Sequence, residues 1–326
     1  MALESGTYIK DLVDTNPPGT DAISQGDDHI RLIKSVLQNS FPSTNNAPII
    51  PDIAGNGLKY LQVNSGATAT QWASIRQRGY INRSTFKYSS TTNILIGAGE
   101  YEVDDGSAPE NYYWDSEITF TIGSGGSNAS SSAAGTSQWQ YLYIDESAIS
   151  ASPLVAGSFL NSTTAPTYSQ TKHGWYNGSD RCIFAFYINS SGEITPFYHS
   201  GDTFVQYKTD QSEDADNTSS GTYAVLAPQI GTGTEIFGEV TIKLVSPNGN
   251  TNGSAFYAAS FAGTGQFIGK VEAGDGSYDD EHVASNKRIA TYDSGSARYI
   301  YITKSGGAAA NYWTAFTNGW YLPNGM

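Results

Sequence analysis

The sequence predicts a mainly β fold: a short N-terminal amphipathic helix followed by two antiparallel β-sandwich or jelly-roll-like domains. Three observations predict it. Only one segment carries a helical hydrophobic period. From Gly79 onward the chain breaks into short alternating runs separated by Gly, Asp and Asn turns. And 22 Tyr, 13 Phe and 6 Trp, 13% of the 326 residues, accompany a charged fraction of only 15%, whereas disorder needs high charge and few aromatics.

The helix comes first. Ser24-Gln25-Gly26-Asp27 fits a capping box with Asp in its last position and opens a run to Phe41-Pro42. Proline disfavours a helical conformation in the residue before it, which ends the run. With about 100° per residue, Leu32, Val36, His29, Ser40, Ile33, Leu37 and Ile30 share an arc about 160° wide. Asp27, Asp28, Arg31, Lys34, Ser35 and Gln38 take the other side. One helix cannot bury so wide an apolar arc by itself, so Ile30, Ile33, Leu37, Leu32, Val36 and His29 are the candidate docking residues. For His29 the alternatives are a packed, hydrogen-bonded histidine and an ion site shared between copies.

Residues 46–78 hold Pro48, Pro51, Gly55, Gly57 and Gly66 between short apolar pieces and read as a linker or short shaft. A first β-domain is expected over 79–208. Its strands include Asn93–Ile96, Glu100–Val103 before the turn Asp104-Asp105-Gly106, Ser116–Ile122, Gln138–Asp145 and Asp180–Asn189, with Thr203–Tyr207 closing it. Gly123–Ser137 is a low-complexity loop. The polar, acidic run Gln211–Gly221 reads as a domain boundary. A second β-domain, 209–326, is expected from strands at Thr222–Leu226, Ile236–Val245, Ala255–Ala262, Phe267–Glu272, Arg288–Tyr292, Ala297–Thr303 and Tyr312–Tyr321. Residues 1–45 form a separate N-terminal segment.

Charge and motifs narrow the function. Lys plus Arg is 17 and Asp plus Glu 31, a formal charge of −14, which repels nucleic acid and anionic membranes. The longest apolar runs, such as Cys182–Ile188, fall far short of the roughly 20 residues that span a bilayer, so membrane insertion is not expected. No basic start joined to an apolar core stands near the N-terminus, so synthesis in a bacterial cytoplasm without Sec export is expected. Cys182, the sole cysteine, sits in a strand-like run and reads as a small core hydrophobe. No G-x-S-x-G elbow, zinc-binding helix or phosphate-cradling loop occurs. The many acidic residues leave room for a glycosidase carboxylate pair, but none stands out. Asp279-Asp280-Glu281-His282 reads as a solvated acidic loop, with a calcium site as the alternative. No catalytic residue, metal or cofactor is therefore expected, and no enzymatic activity.

The richest cluster of rings is Asn311–Tyr321. Tyr312, Trp313, Phe316, Trp320 and Tyr321 stand beside Asn and Thr, a composition suited to stacking on sugar rings while bonding hydroxyls. These five are the candidate receptor-binding residues; the alternative is a strand whose alternating rings fill the core. Tyr112-Tyr113-Trp114 and Trp175-Tyr176 invite the same two readings.

The opening segment Met1–Asp21, followed by Ser24–Ser35 with its core Gln25-Gly26-Asp27-Asp28-His29-Ile30-Arg31-Leu32, resembles the N-terminal segment of bacteriophage tail fibre and tail-associated proteins. Trp139–Tyr143, Ala148-Ile149-Ser150, Phe159–Pro166 and Gly174–Phe184 are similar to a β-module of phage fibres. The resemblance covers roughly two thirds of the chain and leaves the last third recognised by texture alone. It implies a virion protein, a homotrimer, docked by its N-terminal end on other tail or portal-proximal proteins, with its distal β-domain meeting a host surface glycan or protein. The alternatives are an architectural adaptor or head-attached fibre or decoration protein, and a small capsule or lipopolysaccharide depolymerase.

Overall fold

The computed structural model describes residues 7, 26–40, 59–63, 70–74, 80–106, 109–150, 152–230, 236–247, 254–259, 266–271, 280–293, 297–306 and 309–326. The fold is mainly β, with sandwich and half-barrel architecture. The chain divides into two units, residues 1–75 and 76–326.

In the first unit, α1 spans Gly26–Ser40 and a two-stranded hairpin joins β1 (Lys59–Val63) to β2 (Thr70–Ser74), with Leu61 opposite Trp72. The capping residues Ser24 and Gln25, and the opening segment before them apart from Thr7, lie outside the described residues. The apolar arc of α1 splits at its middle. On the helical wheel Leu32, Val36 and His29 form one half; Val36 is fully buried, His29 buried and Leu32 half-buried. The other half remains open, with Ile30, Ile33 and Leu37 at 55%, 47% and 45% exposure. Residues 46–78, expected as a linker or short shaft, contain that hairpin.

The second unit carries β3 (Tyr80–Asn82), β4 (Phe86–Tyr88), β5 (Asn93–Ile96), β6 (Gly99–Asp104), β7 (Pro109–Trp114) and β8 (Ile118–Thr121). Then come β9 (Gln138–Ile144), β10 (Phe159–Ser162), β11 (Thr167–Ser169), β12 (Gly174–Asn177), β13 (Asp180–Ile188), β14 (Phe197–His199) and β15 (Phe204–Asn217). The rest are β16 (Gly221–Val225), β17 (Ile236–Ser246), β18 (Ser254–Ala259), β19 (Gln266–Val271), β20 (Asp280–Asp293), β21 (Arg298–Ser305) and β22 (Tyr312–Tyr321). Every pairing among them is antiparallel.

Two small sheets, β3-β6-β7 and β4-β5-β8, accompany a five-stranded sheet in the order β10-β9-β13-β12-β11. A nine-stranded sheet follows the order β14-β15-β22-β17-β20-β21-β18-β19, with β16 pairing on β21. The β14–β22 part of the large sheet faces the five-stranded sheet through rings. Trp139 of β9 meets Trp320 of β22 edge to face, centroids 5.2 Å apart, and Tyr207 lies 4.8 Å from Trp320. Phe184 of β13 stacks on Phe86 at 4.2 Å and tilts against Phe197 at 5.2 Å. These rings carry much of the apolar area whose burial drives the layers together. Further along, the sheet curls until Gly269 of β19 comes against His282 and Leu244: a Cβ on Gly269 would sit 2.4 Å from the His282 ring.

The sequence places a boundary at 208/209. It falls inside β15, a continuous strand that pairs with β14 at one end and β22 along its length. The acidic composition of Gln211–Gly221 reads as a domain boundary, but main-chain pairing to β22 holds Gln211–Asn217 extended regardless of its side chains. Asp280, Glu281 and His282 likewise begin β20, where Glu281 pairs with Lys243 at 2.8 Å, rather than forming a free loop. Cys182 is fully buried in β13; burial pushes its thiol pKa far up, and the thiol donates to the Phe184 carbonyl at 3.6 Å.

Candidate functional site

Strand β22 decides which of its rings reach solvent. Gly319 opposes Glu239 and Thr317 opposes Val240, so Asn318 is an extra residue with no partner on β17. Such a bulge reverses the alternation beyond it. Its side chain is anchored: Asn318 Nδ2 donates to Asp210 at 2.7 Å and its Oδ1 accepts from Thr241 at 2.8 Å. Trp313 and Trp320, an odd seven residues apart, therefore both turn inward and are fully buried. Trp313 Nε1 donates to the Ser219 carbonyl at 3.0 Å. Tyr312, Phe316 and Tyr321 remain partly exposed on the opposite side. Of the five candidate receptor-binding residues, the two tryptophans are thus placed in the core, out of reach of a ligand. Trp114 and Trp175 are buried as well: Trp114 stacks on Tyr101, and Trp175 Nε1 donates to the Asn324 carbonyl at 2.9 Å.

The surviving rings belong to a larger array that no single sequence segment displays. Tyr198 opposes Gln206, Gln206 opposes Gly319, Gly319 opposes Glu239, and Glu239 opposes Arg288. This row crosses five adjacent strands, β14 to β20, on one face. A second row beside it pairs Phe204 with Tyr321, their rings 4.8 Å apart, and Phe237 follows on β17. On the other face of the same strands Val205, Tyr207, Trp320, Ile236 and Ile289 are buried. Alternation alone explains this division: one face makes the core, leaving the other to solvent. Gly319 sits at the centre because any Cβ there would lie 2.3 Å from the Val205 carbonyl and against the Phe204 ring.

At one end of the array lies a pocket of about 500 Å³ lined by Lys87, Tyr88, Tyr198, His199, Phe204 and Lys208, among others. The Lys208 ammonium rests over two rings, 4.9 Å from the Tyr88 centroid and 5.0 Å from that of Tyr198. Tyr198 is 59% exposed. His199 forms the pocket wall: its Nδ1 accepts from the Phe86 amide at 3.1 Å and its Nε2 faces the Asp202 carbonyl at 2.8 Å. Burial lowers its pKa from the ordinary value, so the neutral tautomer with hydrogen on Nε2 satisfies both bonds. At the other end the Arg288 guanidinium lies 4.4 Å from the Phe237 centroid and 4.3 Å from that of Tyr321. Tyr321 donates to Glu239 at 2.6 Å; burial first, and then this carboxylate acceptor, push its pKa up to about 12.

Rings flanked by amide, ammonium and guanidinium donors on an open sheet can stack on sugars and bond their hydroxyls. A second hollow, about 420 Å³ between Trp139, Tyr187 and Leu226, is less suited to a ligand. Two of its polar side chains are engaged internally: Tyr141 donates to the Gln229 carbonyl at 2.8 Å and Arg298 to that of Ile230 at 2.9 Å. Among the described residues, no group of three or more His, Cys, Asp or Glu could hold a metal ion, and no helix is long and apolar enough to cross a membrane.

No family model matches the chain, and no curated protein does. One solved structure that aligns is a glycoside hydrolase family 43 arabinoxylan arabinofuranohydrolase from Bacillus subtilis, in complex with cellotetraose, at 11% identity and a TM-score of 0.17. The alignment covers 87% of this chain and 63% of that one, so the chain spans less than two thirds of that enzyme's length. A likeness this slight transfers neither fold nor activity.

Proposed function

We propose that this chain is a structural protein of a bacteriophage particle, a short tail fibre that assembles as a homotrimer and resides in the virion. Its N-terminal segment docks on the particle, and its distal β unit binds a host surface glycan without cleaving it. The observation that carries the binding half is the outward face of β14, β15, β22, β17 and β20. It presents Tyr198, Phe204, Phe237 and Tyr321 with Lys208 and Arg288 on the solvent side of a sheet whose other side is filled. The docking half is supported by α1, whose Ile30, Ile33 and Leu37 lie open in a single chain. Threefold packing of such arcs is one way to cover them, and three weak sites on one tip gain avidity.

The purified full chain, added to host cells before phage, should compete with adsorption and leave the length of extracted surface polysaccharide unchanged. The double variant Tyr198→Ser/Phe204→Ser should lose the competition. Failure of the wild-type chain to compete would reject the reading, and shortened polysaccharide would favour a depolymerase.

A further inference from the structure

We infer that the outward face takes an acidic glycan, a sugar polymer bearing fixed carboxylate or phosphate groups, read by Lys208 at one end and Arg288 at the other. This rests on the glycan-binding reading above and names the class of ligand.

Charge bookkeeping on the face is the first argument. The protein is acidic overall, at −14, and some of its exposed cations meet carboxylates. Lys87 does, meeting Glu117 at 2.9 Å. Lys208 and Arg288 do not: among the described residues neither has a carboxylate oxygen within 4 Å, although Glu239 is directly opposite Arg288 on the next strand. Each cation is held over two rings instead.

The second argument concerns donors. A ring engages the flat side of a guanidinium and leaves the in-plane N–H edge free for a forked bond to a carboxylate or phosphate. A ring likewise satisfies only one side of an ammonium, leaving N–H donors for a ligand. Both cations are thus fixed in place without a direct ion pair among the described residues, an arrangement that favours an incoming anion.

Geometry supplies the third. Lys208 is on β15 and Arg288 on β20, three strand spacings away in the sheet order. At about 4.8 Å per spacing, with an offset of two residues along the strands, their backbone positions are about 16 Å apart. That is the length of a short oligosaccharide rather than of one sugar. On the same face lie Phe204, Gln206 and the bare backbone of Gly319, which offer stacking surface and an amide. Glu239 accepts from the Tyr321 hydroxyl and keeps its charge, so it repels an anion placed at mid-face and leaves the acidic groups of the ligand to the two ends.

The test is an array of immobilised oligosaccharides in three sets, uronate-bearing, phosphate-bearing and neutral, probed with the full chain. Retention on an acidic set should exceed that on the neutral set and fall with added salt. It should drop about tenfold for each of Lys208→Gln and Arg288→Gln, with the thermal unfolding of both variants unchanged. Which acidic set is retained identifies the anion. Equal retention on neutral sugars, or acidic retention that survives both substitutions, would overturn this inference while leaving glycan binding in place. No retention on any set would overturn glycan binding itself, and this inference with it. Concentration-dependent self-association abolished by the same substitutions would show that a second copy covers the face, and would also overturn it.

Discussion

Trp139 and Trp320 meet edge to face with their centroids 5.2 Å apart, joining the five-stranded sheet to the strand that carries the outward array. Trp320 is fully buried and also contacts Tyr207. Replacing a buried tryptophan by alanine removes both its transfer energy and its packing, so Trp320→Ala should cost about 3–5 kcal/mol. Denaturant unfolding followed by tryptophan fluorescence measures this. A change under about 1 kcal/mol would mean that the ring does not bridge the layers.

The ends of β5 and β22 follow directly from alternating apolar residues and turn signals, and α1 from its wheel. The far half of β15 is not legible in the sequence because Gln211–Asn217 holds a single apolar residue, Ala215, although pairing to β22 depends on backbone groups that every residue has. β7, opening at Pro109 with few aliphatics, gave no strand signal. The two buried tryptophans of β22 defeated simple alternation because the bulge at Asn318 is visible only in the register with β17. Tyr198, Lys208 and Arg288 carry no local sequence signal for a related reason. They are far apart in the chain, and only strand order brings them to one face.

The wall histidine makes stability depend on pH. His199 is held neutral, with a pKa below the ordinary 6.5. The unfolded chain therefore takes up a proton near pH 6.5 while the folded chain resists. The stabilising contribution is complete above that value and is lost as pH falls through the folded pKa. The melting temperature of the wild type should decline below about pH 6.5, while that of His199→Asn loses this component. Parallel melting curves for the two proteins between pH 7.5 and pH 5 would refute the assignment.

Cys182 provides a probe of core integrity. It is fully buried and burial pushes its thiol pKa upward, both of which suppress the thiolate that reacts. A maleimide at neutral pH should label it only after denaturation. Labelling of the native protein within minutes would contradict its placement in β13.

The open half of the α1 arc predicts a separation between folding and assembly. Ile33→Asp and Leu37→Asp change residues that are 47% and 45% exposed in the single chain. Unfolding of the β unit should shift by no more than about 0.5 kcal/mol. Analytical ultracentrifugation should show loss of trimer, and particles should incorporate less of the protein. Normal trimers with normal incorporation would show that this arc is not the docking seam.

The most direct measurement is an image of the intact particle at subunit resolution. The account predicts three copies joined near α1, with the β14–β15–β22–β17–β20 face directed away from the particle and open to solvent. A neighbouring virion protein or sister subunit seated across Tyr198, Phe204 and Arg288 would contradict it.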